Sequence, residues 1–135
     1  MTDCTKNGTL STQVPSNAAL GGSLKKELEA VFYFSASGKA PARDWLRSLT
    51  KEEKVAIGAD IMSVEMGWPL GMPTVEKIKK DLWTVRTIFN GKWYRVFFTI
   101  DKESKKMILL HGFQKQSNKI PQNEIKTAEN RQKKV

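Results

Sequence analysis

The apolar residues in the first half of the chain follow a strand pattern and then a helical pattern. Residues 31–34 are aromatic and β-branched, which predicts a strand, and a turn containing Gly38 follows them. Pro41 suits the first turn of a helix, because apolar residues recur behind it at helical spacing. Thr50 and Glu53 form a capping-box pattern, which predicts the start of a second helix. The buried face of that helix is predicted to consist of Val55, Ala59, Met62 and Met66.

In the second half of the chain the apolar period changes to the alternation that is typical of strands. Strands are predicted at about residues 82–89, 93–100 and 107–113. Asn90-Gly91 is a strong hairpin signal between the first two, so the strands should form an antiparallel meander. Pro121 then opens a polar, basic helix over about residues 122–133. The predicted fold is a small α+β domain of order β-α-α-β-β-β-α, with two helices packed on an antiparallel sheet and a basic C-terminal helix.

The chain is predicted to contain one folded domain. Residues 1–23 are rich in Ser, Thr, Asn and Gly, and their few apolar residues do not form a face. We therefore expect a flexible extension at residues 1–23 and a domain at residues 24–135. The 135 residues, 39% of them hydrophobic, are enough for one core.

Charge and composition narrow the function classes. The formal net charge is +9, and such a surplus of Lys and Arg favours a polyanionic partner, nucleic acid first. Cys4 is the only cysteine and His111 the only histidine, so neither an internal disulfide nor a thiolate zinc site is expected. The glycine motifs that bind nucleotide phosphates are absent. We expect no metal, no cofactor, no membrane segment and a cytoplasmic location.

The Asn90-Gly91 turn also predicts which side chains face each other. A two-residue turn places Arg86 directly opposite Arg95. Two like charges in a cross-strand pair destabilise a sheet unless a negative group lies between them, and a bound phosphate is the predicted group. The alternative is that the arginines splay into water or pair with acids such as Glu76 or Asp81. The core is predicted on the opposite face, at Trp83, Val85, Val96 and Phe98, so truncating Arg95 should open no cavity.

Other candidate residues lie near this arginine pair. Lys77, Lys79 and Lys80 are predicted to form a phosphate track, and Lys92 and Trp93 should contact RNA beside the turn. Lys115, just beyond the third predicted strand, could reach the same edge. His111 is either a packed structural residue or the proton-transfer group, and its sequence context leaves both interpretations open.

A series of short motifs then resembles a known family. The motifs are residues 81–86 (DLWTVR), 93–96 (WYRV) and 109–115 (LLHGFQK), followed by Pro121 and residues 124–125. In this order they resemble the RelE/ParE toxin superfamily, and within it the HigB-like, phage-derived branch. The resemblance covers about residues 28–133.

The resemblance implies the toxin half of a type II toxin-antitoxin pair, commonly an endoribonuclease that cleaves mRNA on the ribosome and is silenced by a helix-turn-helix antitoxin. The arginine of the family's "YR" motif carries onto Arg95, the preceding basic position onto Arg86, and the basic residue after the last strand onto Lys115. Gln116 stands where the branch has a second lysine. The implied chemistry is attack of the ribose 2′-hydroxyl on the adjacent phosphate, leaving a 2′,3′-cyclic phosphate. Protons would be handled by His111, Lys115 or another lysine, without metal.

Two alternatives remain open from the sequence. A ParE-like protein would have the same fold but would inhibit DNA gyrase and would not cleave RNA. A non-enzymatic module would use the arginine pair only to bind RNA or an acidic protein.

Overall fold

The computed structural model describes residues 26–115 and 119–135, so the predicted extension at residues 1–23 lies outside the described residues. The described helices are α1 (Pro41–Arg47), α2 (Lys51–Gly67) and α3 (Gln122–Gln132). The described strands are β1 (Glu29–Phe32), β2 (Val75–Lys79), β3 (Leu82–Phe89), β4 (Lys92–Asp101) and β5 (Lys106–Lys115). The α+β class is confirmed. None of the helices in these two ranges is long and apolar enough to cross a membrane.

The described strands form one sheet in the order β1-β5-β4-β3-β2. The predicted antiparallel meander is confirmed for β3, β4 and β5. β1 pairs in parallel with β5, so that the first strand of the described chain lies beside the last. The strand β2, which pairs antiparallel with β3, was not predicted. Its sequence VEKIK alternates, but its short apolar content and its three charges are equally typical of a solvated loop.

The β3–β4 turn has the predicted geometry. Asn90 and Gly91 both have positive φ, at 52° and 72°, as a two-residue type I′ hairpin requires. The register follows: Arg86 is the direct partner of Arg95, and Trp83 is the partner of Phe98. This turn therefore determines which residues of β3 and β4 share a face.

α2 begins as predicted but buries a different face. The side chain of Thr50 accepts a hydrogen bond from Glu53 N at 3.2 Å, and Glu53 Oε1 accepts one from Thr50 N at 2.8 Å. The predicted stripe is wrong, since Val55 is 63% exposed and Met62 is 54% exposed. The residues that α2 buries are Ile57, Ile61, Val64 and Glu65. Both sets have helical spacing, and the packing against the sheet selects the one that contains Ile57, Ile61 and Val64.

The sheet has apolar residues on both faces. The first core lies under α1 and α2 and includes the predicted residues Val85, Val96 and Phe98, with Trp83 packed against it. α1 approaches β5 closely: a Cβ added to Gly112 would lie 2.2 Å from Cε3 of Trp45, so no side chain fits there. The second core lies under α3 and consists of Tyr33, Leu82, Phe97, Leu110, Phe113, Ile125 and Ala128.

Candidate functional site

The face of the sheet that carries α3 also carries the predicted arginines. Because side chains alternate along a strand, residues of β3, β4 and β5 on this face form three cross-strand rows. The rows are Ile88-Trp93-Lys115, Arg86-Arg95-Phe113 and Thr84-Phe97-His111. The third row belongs to the region covered by α3. The first row lies at the turn end of β3 and β4, where Ile88 is 55% exposed and Lys115 is exposed.

The arginine in the middle row is buried. Arg95 is only 2% exposed, and its Nη1 donates to Glu76 Oε1 at 2.8 Å and to Thr84 Oγ1 at 3.2 Å. Glu76 reaches it from β2, where it is the partner of Thr84. As predicted, Arg95 lies on the opposite face from the layer that contains Trp83 and Phe98. Because it is nonetheless buried, the prediction that truncating Arg95 opens no cavity is wrong. A buried guanidinium needs a nearby carboxylate, and the unpredicted strand β2 supplies the one from Glu76.

Arg86 faces a different environment from its cross-strand partner. It is half-buried, and its Cζ lies 5.1 Å above the centre of the Trp93 ring. This cation–π contact keeps the guanidinium beside an aromatic surface at the open end of the face. Lys115 is the cross-strand neighbour of Trp93. We call Arg86, Trp93 and Lys115 the basic patch, since one cation lies over the indole ring and the other belongs to its cross-strand neighbour.

His111 is packed and hydrogen-bonded on both ring nitrogens. Its ring packs against those of Phe97 and Phe113, at centroid distances of 5.9 Å and 6.1 Å. Nε2 lies 2.5 Å from Glu124 Oε1, and Nδ1 lies 3.2 Å from Arg131 Nη1. Because a guanidinium can only donate, Nδ1 accepts, and the ring proton lies on Nε2 and is donated to Glu124. This arrangement fits the structural interpretation of His111 better than proton transfer.

Arg131 links α3 and the His111 ring to the backbone of the sheet. Its Nη1 also donates to the carbonyl oxygen of Leu110 at 2.9 Å. Burial lowers the pKa of Arg131 below its usual value. From the sequence, Arg131 was predicted only to be part of a basic helix. It lies seven residues after Glu124, and this spacing indicates that both residues lie on one face of α3.

The three lysines of the predicted track do not share one surface. Lys79 Nζ lies 3.1 Å from Glu129 Oε2, and this ion pair joins β2 to α3. Lys77 is exposed and is the partner of Trp83, which places it on the opposite face from Glu76. Lys80 is exposed in the turn that follows β2. A register shift in β2 between Lys77 and Lys79 turns these two lysines to opposite faces, because Lys77 then pairs with Trp83 and Lys79 with Leu82. Lys80 lies beyond the end of the strand.

Lys92 and Trp93 also lie on opposite faces, because they are consecutive on β4. Lys92 lies with Tyr94 on the face that α2 covers, where both line a cleft together with Glu53. The Tyr94 hydroxyl donates to the Glu53 carboxylate. Burial and this carboxylate raise the pKa of Tyr94 to about 12, and the hydrogen bond lowers the pKa of Glu53. Trp93 belongs to the basic patch and Lys92 does not.

No group of three or more His, Cys, Asp or Glu side chains within the described ranges could hold a metal ion. The chemistry that the basic patch offers is electrostatic. Two cations beside an aromatic ring suit a phosphate with a stacked base.

Comparison with known proteins gives one family. The profile described as "Phage derived protein Gp49-like (DUF891)" matches residues 44–133, two-thirds of the chain. No curated protein matches. Among solved structures the chain is similar to a chain of the toxin-antitoxin complex RelBE2 from Mycobacterium tuberculosis, with 14% identity and a TM-score of 0.42 over 70% of this chain and 97% of that one. The profile spans α2, β2 to β5 and α3, which together carry the basic patch, and the chain therefore belongs to the phage-derived Gp49-like family.

Proposed function

We propose that the chain is the toxin of a type II toxin-antitoxin pair, of the HigB-like branch, and that it is a metal-independent endoribonuclease acting on mRNA at the ribosome. Its proposed protein partner is a helix-turn-helix antitoxin. The observation that carries the proposal is the basic patch, in which Arg86 lies over Trp93 and Lys115 is the next residue across the sheet. The family and the sequence resemblance to HigB-like toxins support it.

The proposed reaction needs charge stabilisation at phosphorus. The ribose 2′-oxygen forms a bond to the adjacent phosphorus, the bond from phosphorus to the 5′-oxygen breaks, and the proton lost from the 2′-hydroxyl is balanced by one gained at the 5′-oxygen. The pentacoordinate transition state gathers negative charge, which the forked donors of Arg86 stabilise. Lys115 is the proposed proton donor to the 5′-oxygen, and Trp93 stacks on a base. The ribosome orients the 2′-hydroxyl for attack.

Arg95 and His111 take positioning roles in this proposal. Arg95 lies directly across from Arg86, and its ion pair with Glu76 joins the middle of the sheet to β2. His111 joins β5 to α3 through Glu124. Neither side chain has to leave these contacts for Arg86 and Lys115 to meet a phosphate.

The test compares Arg86→Ala with Lys102→Ala, an exposed lysine in the β4–β5 turn that loses the same charge. Cleavage of mRNA on translating ribosomes should fall about a hundredfold for Arg86→Ala, since one transition-state donor is lost. The control should cleave like the wild type, and cleavage products should end in a 2′,3′-cyclic phosphate. Gyrase supercoiling is measured beside it. Inhibited supercoiling without RNA cleavage would replace this proposal with the ParE-like one.

A non-enzymatic RNA-binding module is the second candidate function. It is favoured because Arg95 is paired with Glu76 and because His111 is held by hydrogen bonds on both ring nitrogens. Both residues are thus engaged within the fold, and the basic patch would act without them. Such a module would bind RNA through Arg86 and leave it intact on the ribosome.

A further inference from the structure

A second cleft, separate from the basic patch, lies between α3 and the turn that follows β1. Its volume is about 360 Å³. It shares no residue with the basic patch. The residues that matter for its chemistry are Tyr33, Ser35, Lys39, Asn130, Arg131 and Lys134.

The lining of this cleft is cationic. Lys39, Arg131 and Lys134 contribute three positive charges, and none of the described residues that line the cleft is Asp or Glu. Lys39 and Lys134 are exposed and have no ion-pair partner within residues 26–115 and 119–135. The C-terminal end of α3 adds a negative dipole of only about half a charge, which the three cations outweigh.

Lys39 is attached to a closed turn. Ser35 N donates to the carbonyl oxygen of Lys39 at 2.7 Å, and Lys39 N donates back to Ser35 Oγ at 3.1 Å. Gly38, with φ of +85°, allows the chain to reverse between them. The backbone of Lys39 is thus fixed before any ligand arrives, which lowers the entropy lost on binding.

Two further donors face this cleft from the packed interior. Arg131 uses Nη1 to hold Leu110 and His111, which leaves its other nitrogens for the cleft. Tyr33 is only 7% exposed, and its hydroxyl makes no hydrogen bond to any residue in the described ranges. The hydroxyl oxygen itself is not buried and is open at the cleft that Tyr33 lines, so a ligand there would supply its acceptor.

We propose that this cleft is a second phosphate-binding site, which holds a backbone phosphate of single-stranded RNA while the basic patch acts on another. The identity of the ligand rests on the proposed function. Lysine ammonium groups, a guanidinium and a phenol are the donors that bind phosphate, and no carboxylate opposes an anion there. The cleft would lengthen the RNA footprint without taking part in the cleavage.

The test uses a fluorescein-labelled 2′-O-methyl RNA, which binds but cannot be cleaved because its attacking hydroxyl is blocked. The double variant Lys39→Gln/Lys134→Gln is compared with Lys102→Gln/Lys126→Gln, which removes the same charge from exposed positions outside the cleft. The cleft variant should bind about tenfold more weakly, and its salt slope should fall by about 0.7, the value for one single-strand phosphate contact. The control should lose less than about twofold and keep its slope.

Tyr33→Phe removes only the hydroxyl and should weaken binding about threefold without changing the salt slope, since the donor is neutral. Equal losses in the two double variants would overturn the proposal, because only net charge would then matter. If orthophosphate shifts the NMR signals of Lys39 but the cleft variant binds RNA like the wild type, the RNA assignment is overturned. If only the cleft variant loses RNA binding and the wild-type protein does not cleave RNA, the second phosphate-binding site is supported and the nuclease proposal is refuted.

Discussion

At the scale of single residues, Arg95 shows how burial changes what a cation does. In the buried middle row its guanidinium is held by Glu76 and Thr84, and Glu76 is itself about one-third exposed, with a side-chain accessibility of 37%. Water can therefore solvate part of Glu76 if Arg95 is removed. The main cost of removing Arg95 is the unfilled space and the lost donor rather than an isolated buried charge.

We expect Arg95→Ala to lower the free energy of unfolding by about 2–3 kcal/mol. This replaces the sequence-based expectation that truncating Arg95 opens no cavity. The matched variant Arg95→Met/Glu76→Gln fills the space and removes both charges, and it should recover most of the loss. Urea unfolding of the three proteins measures the difference. An Arg95→Ala protein that unfolds like the wild type yet no longer cleaves RNA would make Arg95 a catalytic group instead.

Tyr94 makes the stability of the fold depend on pH in the alkaline range. Its pKa is raised from 10 to about 12 in the folded chain, so the folded state keeps the phenol proton more tightly than the unfolded state does. The stability that this group contributes is present below pH 10 and is lost as the pH rises to about 12. The pKa of Glu53 is lowered, so its contribution is present above its unfolded pKa and is lost in acid.

Tyr94→Phe should remove the alkaline part of this dependence. At neutral pH the variant should be less stable by about 1–2 kcal/mol, because a hydrogen bond to a carboxylate is lost. Between pH 10 and pH 12 the gap between the two proteins should narrow. Chemical unfolding at several pH values measures the gap. A constant gap across that interval would contradict the assigned role of Tyr94.

At the scale of elements, substitutions in α2 test which of its two apolar faces stabilises the domain. Ile61 is 8% exposed and belongs to the first core, whereas Met62 is 54% exposed. We expect Ile61→Ala to cost about 2–4 kcal/mol and Met62→Ala less than about 0.5 kcal/mol. The midpoints of thermal or urea unfolding compare the two. Equal losses would mean that Met62 is covered in solution.

The sequence predicted the elements that a short local motif specifies. The Asn90-Gly91 turn requires positive φ at both positions, so the β3–β4 register and the pairing of Arg86 with Arg95 followed from it. The capping box likewise placed the start of α2. β2 was missed because a short, charged edge strand has no such local signal. Glu76 was named from the sequence only as an alternative partner of the two arginines, and the structure confirms this alternative for Arg95.

The site was predicted only in part for the same reason. The predicted hairpin register placed Arg86 and Trp93 on one face and only suggested that Lys115 could reach the same edge, and the structure brings the three into neighbouring positions. It could not indicate that α3 would cover His111, since the contacts with Glu124 and Arg131 depend on how a separate helix packs. Which of these residues meet RNA stays a prediction.

At the scale of the whole molecule, the proposed mechanism predicts how cleavage depends on divalent metal. We expect cleavage to be equal in EDTA and in Mg²⁺, because Arg86 and Lys115 supply the charge that a metal would otherwise bring. The measurement is made on ribosomes whose integrity is protected, or on a minimal RNA if it is cleaved without ribosomes, so that loss of ribosome integrity cannot be mistaken for loss of activity. Cleavage that stops in EDTA and returns only with Mg²⁺ would refute the metal-free mechanism.

Expression provides the second test at this scale. The chain expressed alone in bacteria should arrest growth, and a neighbouring antitoxin gene should relieve the arrest. The Arg86→Ala protein, expressed to the same soluble level, should be harmless, and Lys102→Ala should be as toxic as the wild type. Normal growth with abundant, soluble wild-type protein would count against the toxin proposal.

Because β1 pairs with β5, the sheet can be completed only after β5 has been synthesised. Glu29 and Lys106, which form an ion pair across these strands, are 77 residues apart. Ribosomes add about 5–20 residues per second, so β1 is made roughly 4–15 s before its partner. During that interval β1 lacks the strand with which it pairs in the folded domain. The same strand β5 carries Lys115, so the described sheet and the basic patch are completed together.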